Sequence, residues 1–179
     1  MSEPWTEFPH IWRTKAAFFS WVRGGLRRGL WERHPVKIEY LHSRRVRVPL
    51  GRKTKKNKEG LVWGLNCDQC SGLFKQHQCE VNHLNPSGSL NNLPDLTTFI
   101  IKLILVSFED LNVLCKPCHK IQSYAERMGL TFEEAKEAKK LIAFKKLSKL
   151  DKLDELGYTS QHTATHEALN VEWLRKQVN

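Results

Sequence analysis

Residues 67–70 read CDQC, residues 79–83 read CEVNH, and residues 109–120 read EDLNVLCKPCHK. The first and last of these stretches each hold two cysteines separated by two residues, a spacing typical of zinc knuckles. Four thiolates in two such pairs can close one tetrahedral, structural zinc site. The ligands would be Cys67, Cys70, Cys115 and Cys118. A redox-active pair and chance pairing are the alternatives.

One cysteine and two histidines near these pairs lie outside that set. The run CEVNH alternates as a short strand, which places His83 on one face and both Glu80 and Asn82 on the other. His119 directly follows the second knuckle. Because the four thiolates complete the zinc site, both histidines stay free for a second, catalytic metal site, although His119 could also replace one cysteine at the zinc. Cys79 is interpreted as a small, buried apolar side chain.

Positive charge is concentrated in the first third of the chain. Residues 1–60 hold 15 Lys and Arg against 5 Asp and Glu, whereas residues 61–179 hold 14 of each. Segregated positive charge attracts phosphate backbones, so this part is predicted to bind nucleic acid; a solvated, flexible loop is the alternative. The predicted contacts are Arg23, Arg27, Arg28, Arg44, Arg45, Arg47, Arg52, Lys53, Lys55, Lys56 and Lys58.

Apolar periodicity predicts helices on both sides of the cysteine-rich part. Residues 12–31 carry apolar side chains at intervals of four, which predicts one helix. Thr131 and Glu134 have the spacing of a capping box, which predicts a second helix over residues 132–150. Residues 97–108, TTFIIKLILVSF, form a buried helix or a buried strand, because a nearly continuous apolar run has no distinguishing period.

Length and composition predict a small α+β protein. With 179 residues, the chain can bury one moderate core, with a satellite domain. We expect three regions: residues 1–60, basic and largely helical; residues 61–130, with the cysteines and histidines; and residues 131–179, helical. No apolar run approaches the roughly 20 residues that cross a bilayer, and no signal peptide is evident. An odd number of cysteines without an export signal predicts a cytoplasmic protein.

Residues 61–130 resemble the HNH endonuclease family, whose fold is the ββα-metal finger, and in particular the small free-standing HNH proteins of bacteriophages. His83 matches the first histidine of the family pattern, His119 matches the last, and LCKPCH is close to the pattern's ending. The resemblance implies a zinc-stapled ββα-metal module flanked by helical regions. It also implies that the chain cuts double-stranded DNA as a phage homing-type endonuclease in the cytoplasm of a bacterial host.

The resemblance implies a role for each matching residue. His83 would be the general base that activates water, while Asn82 and His119 would hold one Mg²⁺ or similar divalent ion. Asp110 stands where the family usually has its middle Asn, and would brace a loop by accepting hydrogen bonds. Asn82 stands where the family usually has Asp; Glu80, on the same strand face, could supply the missing charge. The products would be 5′-phosphate and 3′-hydroxyl ends.

The neutral side chain of Asn82 keeps a second function open. An amide oxygen brings no charge to a hard cation, so the affinity for the catalytic metal is expected to be lower than with Asp. The alternative is a catalytically weak or inactive, zinc-stabilised accessory protein that binds nucleic acid, for example in packaging or regulation.

Overall fold

The computed structural model describes residues 2–51, 53–158 and 164–178. In these ranges the chain forms helices and two small antiparallel sheets, which confirms the prediction of a mixed helix and sheet protein. It divides into two compact units, Met1–His119 and Lys120–Asn179. Among the helices of the described ranges, none is both long enough and apolar enough to cross a membrane.

The first unit begins with helical segments. These are α1 (Pro4–Glu7), α2 (Lys15–Leu26), a π-helix (Arg27–Trp31) and α3 (Pro35–Ser43). Thr14 caps α2, because its side chain accepts a hydrogen bond of 3.1 Å from the backbone N–H of Ala17. The helix predicted over residues 12–31 is therefore α-helical only as far as Leu26, and its last five residues take the wider π turn.

The first sheet follows α3. It contains β1 (Val46–Pro49), β2 (Leu61–Asn66) and β3 (Leu73–Lys75), paired antiparallel in that order. A single turn of 3₁₀-helix, Gln76–Gln78, then leads into the second sheet.

The second sheet pairs two strands that lie far apart in sequence. β4 (Cys79–His83) and β5 (Leu111–Cys115) are antiparallel, with Asn82 opposite Asn112 and His83 opposite Leu111. Their connection contains α4 (Asp95–Ile104) and a 3₁₀ turn (Phe108–Asp110), so the ambiguous run 97–108 is helical through Ile104. β5 leads directly into α5 (Lys116–Met128), which gives the order strand, strand, helix.

One core joins the N-terminal helices to both sheets. Its buried side chains are Phe19, Trp31, Tyr40, Leu65, Val81, Leu90, Phe99, Leu103, Leu111 and Val113. The hydroxyl of Tyr40 in α3 also donates a hydrogen bond of 3.0 Å to the backbone carbonyl of Leu111 in β5. The structure therefore places no boundary at residue 60, because the N-terminal helices bury their apolar side chains in the same core as the strands.

The second unit is helical in its described residues. Besides the later part of α5 it contains α6 (Phe132–Lys145), α7 (Lys149–Leu156) and α8 (His166–Val178). The predicted capping box is present: Thr131 Oγ1 accepts from the N–H of Glu134 at 3.3 Å, and the Glu134 carboxylate accepts from the N–H of Thr131 at 2.8 Å.

The helix predicted over residues 132–150 is two helices. It ends at Lys145, because the side chain of Ser148 accepts from the N–H of Asp151 at 3.2 Å and begins α7. Phe144 and Trp173 stack at the centre of this unit, with 5.1 Å between ring centroids.

Gly64 in β2 leaves no room for a side chain. A Cβ there would lie 2.4 Å from Cγ1 of Val48 and 2.5 Å from the carbonyl oxygen of Phe74, so the neighbouring strands would have to shift. We expect Gly64→Ala to lower the free energy of unfolding by roughly 1–3 kcal/mol, the usual cost of overpacking. Denaturant titration measures the difference.

Gly25→Ala is the matched control. A Cβ at Gly25 would have no atom within 4 Å, and the residue lies inside α2. Alanine there should raise stability by up to about 1 kcal/mol through its higher helix propensity. Equal stability of the two variants would contradict the packing of Val48 against Gly64.

Candidate metal centre and nucleic-acid interface

The first cysteine pair lies in the tight turn after β2. The N–H of Ser71 donates to the carbonyl of Cys67 at 2.8 Å, and the N–H of Cys67 donates to the carbonyl of Gly72 at 2.9 Å. Ser71 accordingly has φ +57°, in the left-handed region that residues other than glycine seldom adopt. The turn brings the sulfur atoms of Cys67 and Cys70 towards one point.

Asp68 holds this turn against β5. Its N–H donates to the carbonyl of Val113 at 2.8 Å, and its carboxylate accepts from the N–H of the same residue at 2.7 Å. Arg44, one of the cations predicted to bind nucleic acid, forms an ion pair with this carboxylate. The N–H of Cys115 also donates to Sγ of Cys67 at 3.2 Å. The first knuckle is thereby placed beside the second.

The four cysteines predicted to bind zinc come together. Their sulfur atoms all lie within 4.8 Å of one another, and those of Cys70 and Cys115 are 4.0 Å apart. Zinc–sulfur bonds of about 2.3 Å imply tetrahedral sulfur separations of roughly 3.8 Å, so the group could hold a metal ion such as zinc. Within the described residues, no other three or more His, Cys, Asp or Glu converge in this way. Cys79 packs against the core, and burial raises its pKa to about 11.

Burial and backbone N–H groups set the protonation of these thiols. Burial acts to raise the pKa of Cys67, but hydrogen bonds from the N–H groups of Cys115, Cys70 and Gln69 outweigh it and lower the pKa to about 7. Burial raises the pKa of Cys115 and of Cys118. A cation at the centre would stabilise the thiolates that this close packing otherwise disfavours.

His83 lies at the end of β4, with its ring between two helical elements. Nε2 is 3.2 Å from the carbonyl oxygen of Leu103 in the last turn of α4, and the ring centroid is 4.1 Å from that of Trp31 in the π-helix. Because a carbonyl only accepts, this hydrogen bond places the proton on Nε2 and leaves the lone pair on Nδ1. Burial lowers the pKa of His83, which favours the neutral ring. The contact with Trp31 was not predicted from the sequence.

Asp110 braces the loop that leads into β5. Its carboxylate accepts hydrogen bonds from the backbone N–H and the hydroxyl of Ser107, each 2.8 Å long, and its backbone carbonyl accepts from the N–H of Leu84 at 2.8 Å. The two bonds from Ser107 lower the pKa of Asp110, so the side chain stays a carboxylate. Asp110 and His83 line the same cavity, of about 280 Å³.

The residues expected to bind the catalytic metal lie on β4 and α5. Glu80 and Asn82 share one face of β4, and the amide nitrogen of the buried Asn82 donates to the carbonyl of His83 at 3.0 Å. His119 is partly buried in the first turn of α5. Opposite Asn82, the Oδ1 atom of Asn112 is buried and finds no hydrogen-bond partner in the described part of the chain. Oxygen is the donor that a hard cation prefers, so the unpartnered oxygen of Asn112 is a suitable donor for a divalent ion, and the sequence did not predict it.

Hydrogen bonds of Asn57 brace the basic connection between β1 and β2 where it enters β2. Oδ1 of Asn57 accepts from the N–H groups of Gly60 and Leu61, at 2.9 and 3.3 Å, and its Nδ2 donates to the carbonyl of Leu61 at 2.7 Å. This connection borders a groove of about 480 Å³, whose cationic lining residues are Arg47, Lys55, Lys56 and Lys58. Lys53 is exposed nearby in sequence.

An exposed aromatic ring lies beside two of the predicted cations. Trp63 on β2 is 48% exposed, and its ring centroid is 4.8 Å from the guanidinium of Arg47 and 5.9 Å from that of Arg45. Arg47 also pairs with Glu59 at 3.1 Å, and Arg45 donates to Gln76 at 2.9 Å. The sequence did not single out Trp63, because only the strand pairing places it opposite Arg47.

The other predicted cations lie mostly on the N-terminal helices. Arg23 is partly buried in α2, whereas Arg27 and Arg28 are exposed in the π-helix. Arg27 is close enough to His83 for its charge to contribute to the lowered pKa of that imidazole, after burial. Arg52 lies outside the described residues.

No protein-family model, no curated protein and no solved structure matches this chain. Likeness to known proteins therefore neither supports nor contradicts a function for it. The chemistry of the molecule rests on its own side chains: four converging thiols, an imidazole in the same cavity as a carboxylate, and a groove lined by cations.

If the four cysteines bind zinc, substitution of a cysteine inside the cluster and of one outside it should have different effects. We expect about one zinc per chain in the wild type, and loss of most of it in Cys70→Ser, because three thiolates hold zinc less tightly than four. The same variant should show a lower melting temperature, as should the wild type after treatment with a chelator. Elemental analysis and thermal unfolding measure these changes.

Cys79→Ser is the matched control, since Cys79 lies outside the sulfur cluster. It should retain the zinc of the wild type. A folded wild-type protein without zinc, or equal zinc in both variants, would show that the four cysteines form no metal site.

Proposed function

We propose that this protein is a metal-dependent endonuclease of the HNH type, which hydrolyses phosphodiester bonds of double-stranded DNA. The observation that carries the proposal is the state of His83: its Nε2 is held by the Leu103 carbonyl, which leaves Nδ1 as a base, and its ring lines a cavity together with Asp110. The order β4, β5, α5, with one cysteine pair at the junction of β5 and α5, supports a zinc-stapled ββα-metal module. The resemblance implies a phage homing-type enzyme that acts in the cytoplasm of a bacterial host.

The reaction begins with a water molecule beside His83. Nδ1 takes one proton from this water, the water oxygen bonds to phosphorus, and the bond between phosphorus and the 3′-oxygen breaks. The leaving oxygen then takes a proton from solvent, which gives 5′-phosphate and 3′-hydroxyl ends. The hydrogen bond to the Leu103 carbonyl keeps the ring in the tautomer that can accept the proton, and the lowered pKa keeps it neutral beforehand.

The residues that would hold a divalent cation are Glu80, Asn82 and His119, joined by the unpartnered amide oxygen of Asn112. Glu80 brings the only negative charge of this set. When bound, Mg²⁺ or a similar ion would stabilise the charge that develops on the phosphate and on the leaving oxygen in the transition state. Zinc at the four cysteines would be structural.

The groove between β1 and β2 supports DNA as the partner. The hydrogen bonds of Asn57 brace the end of the connection nearest β2, so the lysines beside Asn57 need less ordering on binding than those of an unbraced loop. Cations held in one groove neutralise backbone phosphates and release counterions.

A catalytically weak or inactive accessory protein that binds nucleic acid is the second candidate. Asn82 favours it, because the amide brings no charge to a metal and its nitrogen already donates to the carbonyl of His83. Both candidates bind nucleic acid through the same groove, so cleavage of DNA distinguishes between them.

Substitution of His83 tests the base directly. We expect His83→Ala to lower the rate of plasmid cleavage by at least about 100-fold, the usual contribution of a general base, with little change in DNA affinity. His42→Ala, which removes an exposed histidine of α3, should cut at the wild-type rate. Supercoiled plasmid incubated with and without Mg²⁺ or Mn²⁺ gives the rates.

Asn82→Asp tests the metal ligands in the same assay. Restoring a charged ligand should lower the Mg²⁺ concentration that gives half-maximal cleavage. If the wild type cuts no DNA with either metal ion, the accessory function stands and the nuclease does not.

The salt dependence of DNA binding tests the groove. Replacing Lys55, Lys56 and Lys58 together by Gln should flatten the slope of log affinity against log salt by up to about 0.9 for each phosphate contact that is lost. The affinity for unrelated DNA sequences should fall by a similar factor, because phosphate contacts carry no sequence information.

The matched control removes three exposed lysines of the second unit, Lys140, Lys145 and Lys146. The change in net charge is the same, yet the slope should stay close to that of the wild type. Equal slopes for both triple variants would mean that net charge alone, and no particular groove, attracts the DNA.

A further inference from the structure

We propose that Lys102 binds a phosphodiester phosphate in the cavity beside His83. This inference rests on the proposed function and assigns to α4 a part in it. The helix lies in the connection between β4 and β5, where the sequence resemblance to HNH proteins is loosest. The site would be a property of this chain's own insertion.

The cavity brings together groups from three segments of the chain. His83 and Asn85 come from β4 and the residues after it, Lys102 comes from α4, and Asp110 comes from the turn before β5. Its volume of about 280 Å³ is sufficient for a phosphate group with part of its sugar.

A phosphate in this cavity would need a cation beside it, because a carboxylate already lines the cavity. The Asp110 carboxylate lines this cavity and accepts two hydrogen bonds from Ser107, so a phosphate entering the same cavity would be repelled by its charge. Lys102 is the cation among the residues that line the cavity, and in the described part of the chain it has no ion pair with a carboxylate. It can therefore compensate the phosphate charge without first breaking another pair.

The same turn of α4 positions the base. Leu103, the residue after Lys102, accepts the hydrogen bond from Nε2 of His83 with its carbonyl, which belongs to the last turn of the helix and has no partner within it. The backbone of Lys102 and the imidazole of His83 are therefore both attached to the last turn of α4, so a phosphate held by Lys102 would lie in the cavity that the imidazole lines.

The remaining walls suit the sugar of a nucleotide. Ile101 and Leu105, on either side of Lys102, line the cavity although they are 48% and 72% exposed. Apolar side chains at the rim of a cationic site can pack against the carbon face of a deoxyribose. A small inorganic anion would leave these contacts unused, so a nucleotide phosphate is the ligand class that fits.

The test uses thymidine 3′,5′-bisphosphate as the probe and the full chain as the protein. Two-dimensional NMR follows the ring signals of His83, assigned from their loss in His83→Ala, as the probe is added. We expect saturable shifts in the wild type, and binding weaker by roughly ten- to hundred-fold in Lys102→Met, the usual loss for a charge-assisted contact. Lys102→Arg should keep most of the affinity.

Lys145→Met is the matched control. Lys145 is also an exposed lysine in the last turn of a helix, so its loss removes the same interaction with a helix end without touching the cavity. It should bind the probe as the wild type does. Thermal unfolding of each variant shows whether its fold is intact.

Plasmid cleavage with the same variants separates this inference from the proposed function. If the His83 signals shift only when Lys102 is present and the wild type cuts no plasmid, the phosphate site is supported and the nuclease function is excluded. If Lys102→Met cuts plasmid at the wild-type rate and binds the probe with wild-type affinity, the nuclease function stands and the phosphate site is overturned. No shift in the wild type at millimolar probe would overturn the site whether or not the protein cuts.

Discussion

The two hydrogen bonds between Asp68 and Val113 hold together the parts on which the rest of the structure depends. They attach the first cysteine knuckle to β5, although 45 positions separate the two residues, and so place Cys67 beside Cys115. Because β5 runs directly into α5, the same contact fixes where the second knuckle and His119 lie. A metal ion at the four sulfurs would add its own bonds to the link that these hydrogen bonds make between the two knuckles.

The N-terminal helices belong to the candidate site as much as to the core. Trp31 covers one side of the His83 ring, and the amine of the buried Lys37 lies 5.1 Å from the centroid of Trp31 while it pairs with Glu32 at 2.7 Å. Tyr40 fixes α3 to Leu111, the first residue of β5. In the proposed mechanism His83 must keep one orientation, and that orientation depends on a segment far from it in sequence. The strands and α5 alone would leave one side of the imidazole open to solvent.

Local spacing made part of this site predictable, and tertiary packing decided the rest. The four cysteines could be predicted because two short-range pairs are the usual way a chain supplies zinc ligands, and the Thr131 capping box is likewise a local signal. Trp31 could not, because only the core determines which helical residue meets His83. Asn112 and Trp63 acquire their neighbours from strand register, which an isolated sequence does not specify. Lys102 lay in an apolar run whose period fits helix and strand alike, so its direction could not be predicted.

The π turn at the end of α2 determines how this segment responds to a change in its length. An α-helix advances about 100° per residue, so one residue gained or lost rotates everything beyond it by that angle. Here the N–H of Glu32 donates to the carbonyl of Arg27, five residues back, at 2.9 Å, and this wider turn presents Trp31 to His83. A π turn absorbs one extra residue, so a single deletion within residues 27–30 would restore the ordinary period without rotating the residues beyond it. The contact between Trp31 and His83 can therefore survive a one-residue change in the length of this segment, with every cysteine and histidine unchanged.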